Sequence, residues 1–246
     1  MDILTITVGS IAIFTASFFA SVSGFGYALI ATPLLSMVVP LKTTIIFILF
    51  LTMIMRVFTM YTTFKDMDIK TVATVSVGCL IGIQPGSWVL NYLSAPTLGL
   101  YLSVALLFFI TLNIINFRFV IKRQTLGRLG CGIVSGFFGA STSVSGPPIV
   151  LYFLNEDMEK TLMRSNMTWI FGFTLLSTAI TYFFTGAYNF VEDWTVFYYL
   201  VPANLVGVFL GDRCAKKLSQ ELFRKLTLII VTLGTIMMLI NSIQRL

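Results

Sequence analysis

Apolar runs close to twenty residues long recur from one end of this sequence to the other, separated only by short polar breaks. Six are clean, extending approximately from Thr43 to Thr63, Thr71 to Tyr92, Thr97 to Phe117, Asn166 to Thr185, Trp194 to Gly211 and Leu222 to Ile243. Roughly 20 such residues cross a hydrocarbon core of about 30 Å, so the pattern predicts an all-α polytopic membrane protein with no room for a separate soluble domain. Composition excludes the soluble alternative. Of 246 residues, 57% are hydrophobic and 11% charged, with a mean hydropathy of +0.93, whereas about a quarter of the residues of a soluble domain are charged. The N-terminal run has no positively charged flank and no clear small-residue cleavage site, and reads as mature sequence rather than as a signal peptide. Cys79, Cys131 and Cys214 are scattered and odd in number, unlike a disulfide framework or a zinc site. A pI near 9.3 raises a nucleic-acid partner, but the basic residues sit between apolar runs, where membrane orientation explains them.

Two further apolar stretches are interrupted. Ile3 to Pro40 is broken at Ser21-Val22-Ser23-Gly24-Phe25-Gly26, and Leu129 to Leu154 is broken between Ser141 and Pro148. Each reads as two helical pieces joined by an elbow. The piece from Leu129 to Ala140 has twelve residues, about 18 Å of helix, and is expected to enter the bilayer and turn back. Charge supports that topology. If both broken stretches start and finish on one side, Lys65, Lys70, Arg118, Lys122, Arg123, Arg128, Lys160, Arg164, Arg213, Lys216, Lys217, Arg224 and Lys225 all become cytoplasmic, with only Lys42 and Arg245 outside. Both termini then lie on the outer, periplasmic face of the inner (plasma) membrane.

A hairpin plus three crossings is an odd net number, so two such halves run in opposite senses. The expected organisation is therefore two inverted repeats, each a broken helical hairpin plus three transmembrane helices. The first covers residues 1–117 and the second residues 129–246, joined by a basic cytoplasmic linker at 118–128. Ile81 to Ser94 matches Val206 to Ser219 at an offset of 125, with Gly82 and Gly86 falling on Gly207 and Gly211. Ser17 to Ser21 resembles Gly136 to Ala140 at an offset of 119. Inverted repeats broken at corresponding places point to a secondary transporter with its site near the bilayer midplane.

Helix breaks survive in a membrane only inside protein or beside a polar cavity. The N-terminus of a helix carries free N–H groups and partial positive charge, which together hold an anion without a buried lysine or arginine. Gly26 and Pro147-Pro148 are expected to open the second helical pieces. Ser21, Ser23, Gly24, Gly26, Thr142, Ser143, Ser145, Gly146 and Pro147 are the candidate substrate-binding residues, and Ser141 adds a further hydroxyl. The alternative for any single serine is close helix packing. Within the predicted spans there is no Glu, no His and no clearly buried Asp, so a proton relay or a carboxylate cation site lacks its parts. Arg56, seven residues inside its span, either binds the anion or extends toward the cytoplasmic surface. Gln84 is carried as a further candidate ligand, with hydrogen bonding between helices as its alternative, as for Asn113, Asn116 and Asn204. No catalytic arrangement is visible and no metal or cofactor is called for. The implied partners are a small anionic substrate and membrane lipids, and a homodimer is compatible with the sequence.

Gly24 to Leu35, reading GFGYALIATPLL, and Gly136-Phe137-Phe138-Gly139 with Ser145-Gly146-Pro147-Pro148-Ile149-Val150-Leu151-Tyr152 resemble the two signature regions of the TauE/SafE family of sulfite and organosulfonate permeases. Arg164 resembles the basic position that follows the second signature, whereas Ala140 to Ser145 replaces a more glycine-rich run. The resemblance implies duplicated halves and movement of sulfite, thiosulfate, sulfoacetate or a related sulfur anion. Direction follows weakly from physics: one charge crossing 100 mV is worth about 2.3 kcal/mol, so an anion leaves a negative-inside cell downhill. Coupled uptake, with backbone carbonyls holding Na+, stays open, as do a membrane scaffold and an intramembrane enzyme.

Overall fold

The structure is a computed structural model and describes residues 3–23, 26–63, 67–115 and 123–214, together with scattered positions between 232 and 244. Within them the chain is helical: α1 (Ile3–Ser23), α2 (Tyr27–Leu35), α3 (Leu41–Thr63), α4 (Ile69–Tyr92), α5 (Ala95–Ile114), α6 (Gln124–Thr142), α7 (Gly146–Asn155), α8 (Lys160–Thr185), a 3₁₀ turn (Ala187–Phe190) and α9 (Thr195–Cys214). Ile3–Ser21, Ile69–Tyr92, Ala95–Leu112, Thr161–Thr185 and Thr195–Cys214 are each long and apolar enough to cross a membrane. Large apolar side chains stand outward along them, among them Trp88, Tyr92, Phe108, Phe183, Phe184, Tyr198 and Phe209. This is the surface of a polytopic membrane protein. The run from Leu222 to Ile243 and linker residues 118–122 lie almost wholly outside the described residues.

Both broken stretches are long helix, break, short helix, and the breaks are tighter than the sequence suggests. α1 continues through Ser23 and α6 through Thr142. α6 also begins at Gln124, not Leu129, so it has 19 residues, about 28 Å, in place of the twelve expected. The expectation that this piece is too short to cross fails on length. The short arms are α2 with 9 residues and α7 with 10.

The chain divides into two compact units, Met1–Met55 with Leu93–Ile110 and Asn189–Leu246, and Arg56–Tyr92 with Thr111–Tyr188. In the first, α1 packs along α9 and against α2; in the second, α4 packs along α6 and α8, and α6 against α7. Each unit thus combines a broken hairpin with a helix distant in sequence.

Small residues make these contacts close. A Cβ on Gly78, Gly82 or Gly86 of α4 would overlap the carbonyl oxygens of Leu129, Ile133 and Phe137 on α6. Gly132 and Gly136 of α6 stand equally close to the carbonyls of Val75 and Cys79. In the first unit, Gly207 and Gly211 of α9 meet the carbonyls of Phe14 and Phe18 on α1 in the same manner. Without a hydrophobic drive in lipid, backbone approach of this kind is what holds membrane helices together. The two sets of contacts correspond at the offsets read from the sequence: Gly82 on Ile133 with Gly207 on Phe14, and Gly86 on Phe137 with Gly211 on Phe18.

Buried polar groups bond within each unit. Asn204 Nδ2 donates to Leu51 O at 3.0 Å and Thr43 Oγ1 to Phe190 O at 2.7 Å. At the foot of α4, Asp68 is the helix cap. Its carboxylate accepts from Lys70 N at 3.0 Å and from Thr71 Oγ1, and its own N–H reaches Asn166 Oδ1 at 2.8 Å. The Thr71 hydroxyl is the main reason the Asp68 carboxyl titrates below its ordinary value.

Candidate functional site

At the second elbow, α6 ends because Ser143 turns into the left-handed region, φ +62°, with its N–H on Gly139 O at 2.9 Å. The two polar side chains before it stay in the helix: Ser141 Oγ donates to Phe137 O at 2.8 Å and Thr142 Oγ1 to Phe138 O at 2.7 Å, the local bonding that lets hydroxyl residues occupy an apolar helix. Ser145 is then the N-cap of α7, followed by Gly146, Pro147 and Pro148. It makes no side-chain cap, for a physical reason: an N-cap oxygen takes the N–H of the second or third helical residue, and both are proline. Ser143, Ser145 and Gly146 are partly accessible, whereas Thr142 and Pro147 are buried.

The carbonyls around this elbow are occupied. Tyr182 Oη of α8 donates to Ala140 O at 2.6 Å, Ser135 Oγ of α6 to Ser145 O at 2.7 Å, and the Cys131 thiol sits 3.4 Å from Pro148 O. Each of these three carbonyls therefore carries one protein donor.

Positive charge lies close by. The Arg56 guanidinium, at 5% exposure, stacks 5.1 Å from the centre of the Phe171 ring. The edge of the same ring is 3.9 Å from where a Cβ on Gly146 would stand. Arg56 and the first residue of α7 thus share one aromatic side chain of α8, and the arginine is enclosed rather than extended to the surface. Arg164, the basic position read from the sequence, is exposed two turns earlier on α8. Gln84 lies elsewhere, on the exposed face of α4 with Ile81, Pro85 and Trp88, opposite the glycine face that meets α6.

The first elbow is built differently. Gly26 is the N-cap of α2 at φ +88°, a conformation that glycine adopts without strain. With no side chain, it gives the N–H groups of Tyr27, Ala28 and Leu29 no side-chain cap, and the first helical bond among the described residues is Ile30 N–H to Gly26 O at 3.3 Å. Ser21 is buried in the last turn of α1 and its Oγ has no hydrogen-bond partner among the described residues. Ser23 ends α1, and Gly24 lies outside the described residues. Two residues that the sequence reading passed over share the condition of Ser21: Tyr27 and Thr32, 2% and 0% exposed, whose hydroxyls likewise lack a partner. Both lie inside the apolar signature, where a tyrosine or threonine reads as packing; only an inventory of hydrogen bonds singles them out.

No curated protein and no solved structure matches this sequence. The family described as Sulfite exporter TauE/SafE matches residues 10–238. That match takes in both elbows and all the helices from α2 to α9, and the chain therefore belongs to the sulfite exporter TauE/SafE family of membrane transporters.

Proposed function

We propose that this chain is a carrier, not an enzyme, which exports a small sulfur oxyanion such as sulfite, thiosulfate, sulfoacetate or another organosulfonate, and that it holds the substrate at the helix elbows. One observation carries the sign of the substrate. At the second elbow the carbonyls of Ala140, Ser145 and Pro148 are already taken by Tyr182, Ser135 and Cys131, while the N-terminal end of α7 is uncapped and shares Phe171 with a buried arginine. A positive charge thus lies near a helix N-terminus whose neighbouring carbonyls already accept protein donors. Such a setting favours an anion. Uncoupled export down the membrane potential is the simplest cycle that follows.

The organisation that goes with this reading is two inverted repeats, residues 1–117 and 129–246 around the basic linker 118–128, with both termini on the outer face of the inner membrane. The recurrence of the Gly82–Ile133 contact as Gly207–Phe14 supports the duplication, and the distribution of basic residues supports the orientation.

Purified protein titrated with sulfite, thiosulfate, sulfoacetate, taurine, sulfate and chloride at matched ionic strength tests the substrate. A ligand at 100 times its Kd adds about 2.7 kcal/mol of stability. A selective shift with one sulfur anion is expected, followed by efflux of that anion from proteoliposomes that Arg56→Gln slows at least tenfold. Folded protein that responds to none of these anions refutes the proposed substrate class, and unchanged efflux in Arg56→Gln removes Arg56 from the site.

A further inference from the structure

The two elbows offer an anion unequal numbers of donors. The first three residues of α7 are Gly146, Pro147 and Pro148, so two of the N–H groups that a helix N-terminus ordinarily presents do not exist. The first three residues of α2 are Tyr27, Ala28 and Leu29, and all three N–H groups are present. Ala28, Leu29 and the cap Gly26 are partly accessible, so a ligand can reach this turn.

Two hydroxyls on α2, those of Tyr27 and Thr32, and one at the end of α1, that of Ser21, are singled out by their burial. Ser21, Tyr27 and Thr32 are each more than nine-tenths buried, and none of their oxygens has a hydrogen-bond partner among the described residues. A buried hydroxyl without a partner costs about 1–3 kcal/mol, and other buried hydroxyls of this chain avoid the cost by bonding backward in their helix, as Thr52, Thr174 and Thr178 do. Thr32 does not, although the carbonyl of Ala28 lies one turn behind it. The direction of these side chains follows from helix geometry. Every Cα–Cβ bond leans toward the helix N-terminus. Tyr27 is the first residue of α2, so its ring leans past the open end into the elbow, and Thr32 leans the same way.

We propose that the first elbow is an oxyanion subsite made of neutral donors, the N–H groups of Tyr27, Ala28 and Leu29 with the hydroxyls of Tyr27 and Thr32, and that Tyr27 and Thr32 are residues that determine its specificity. Its ligand is the headgroup shared by sulfite and sulfonates, in which three oxygens face several O–H and N–H donors at once. Chloride, which has no such oxygens, fits it poorly. This inference rests on the anion-carrier reading above and adds to it where the binding energy for that headgroup resides.

The test compares wild type, Tyr27→Phe, Thr32→Val and Tyr188→Phe, with sulfite and methanesulfonate as probes and chloride as reference, measuring Kd by calorimetry and ligand-free Tm in the same detergent. Tyr188 is the control because its hydroxyl already donates to Ala179 O at 2.6 Å. Tyr27→Phe and Thr32→Val are expected to raise Kd for both probes about tenfold, the worth of one hydrogen bond to a charged group. Their ligand-free Tm should be equal or higher, because an unpartnered buried hydroxyl has been removed. Tyr188→Phe should lower Tm and leave Kd unchanged. Wild-type affinity in both Tyr27→Phe and Thr32→Val, with sulfite still bound, overturns the subsite and leaves the carrier reading standing. So does a lower ligand-free Tm in both, which would mean that these hydroxyls serve the fold. Failure of the wild type to bind either probe overturns the carrier reading itself, and the subsite with it.

Discussion

Gly82→Ala, set beside Gly130→Ala, tests whether backbone contact between α4 and α6 holds the second unit together. Both glycines lie inside helices, where alanine is favoured by about 1 kcal/mol on propensity alone. At Gly130 nothing lies within 4 Å of an added Cβ, so that gain is realised. At Gly82 the new methyl overlaps Ile133 O and comes within 2.8 Å of Phe137 N. These are backbone atoms that cannot rotate away, so the helices must separate. Overpacking of this kind costs typically 1–3 kcal/mol, and separation also loosens the neighbouring contacts of Gly78, Gly86, Gly132 and Gly136. Set against the propensity gain, this leaves a net loss of up to about 2 kcal/mol, or up to roughly 8 °C in Tm for a chain of this size. Gly130→Ala should move Tm upward by about 2–4 °C. The assay is thermal unfolding in one detergent, followed by circular dichroism and size exclusion. Gly207→Ala should fall between the two, because the nearest atom there is the Ser17 hydroxyl, a side chain that can rotate, with Phe14 O next at 2.7 Å. A Gly82→Ala protein at least as stable as wild type would refute the contact as described.

Two further substitutions probe the ends of helices. Ser143 holds φ +62° at the second elbow; Ser143→Val should lose about 1–2 kcal/mol of stability and Ser143→Gly should stay within about 1 kcal/mol of wild type, since any Cβ is disfavoured there, a branched one most, and glycine escapes the penalty. Asp68 has a folded pKa below its ordinary value because of Thr71 and the Lys70 N–H, so its contribution is present above the ordinary carboxylate range and is lost as pH falls through the depressed folded value. Asp68→Asn should flatten that part of the profile of stability against pH, and Asp68→Ala should cost about 1 kcal/mol at neutral pH through the lost cap. Identical acid profiles for Asp68→Asn and wild type would contradict this role.

The long helices were legible because a run of about twenty apolar residues has few other fates. Their limits were less so, and the errors have definite causes. α6 begins five residues before its apolar run because Arg128 is not left in lipid: its guanidinium meets Glu156 Oε2 at 3.2 Å, and Tyr152 Oη adds a bond to Glu156 Oε1 at 2.9 Å. A polar segment that reads as linker is thus a first turn whose charge is matched from the far end of α7. Ser141 and Thr142 read as elbow by composition, yet their hydroxyls close on the preceding turn and extend the helix. Glycines and prolines marked the breaks correctly because their backbone chemistry is local: Gly26 adopts the left-handed cap, and Gly146 and Pro147 open α7.

The contents of the site follow a different rule. A binding group is defined by what it lacks, and a missing partner leaves no trace along the chain. Arg56 stood out because a charge in an apolar run is costly whatever surrounds it, but its stacking on Phe171 depends on a helix more than a hundred residues later. Thr32 and Thr178 look alike in sequence, each a threonine within an apolar run. One is satisfied by its own helix and the other is not. In a membrane, where no bulk solvent pairs the leftover donor, that difference is what the proposed subsite rests on. If the proposed subsite is right, its advantage over the second elbow is energetic: an unpartnered donor gains its full hydrogen bond when an oxyanion arrives, whereas Ser141 and Thr142 must first give one up.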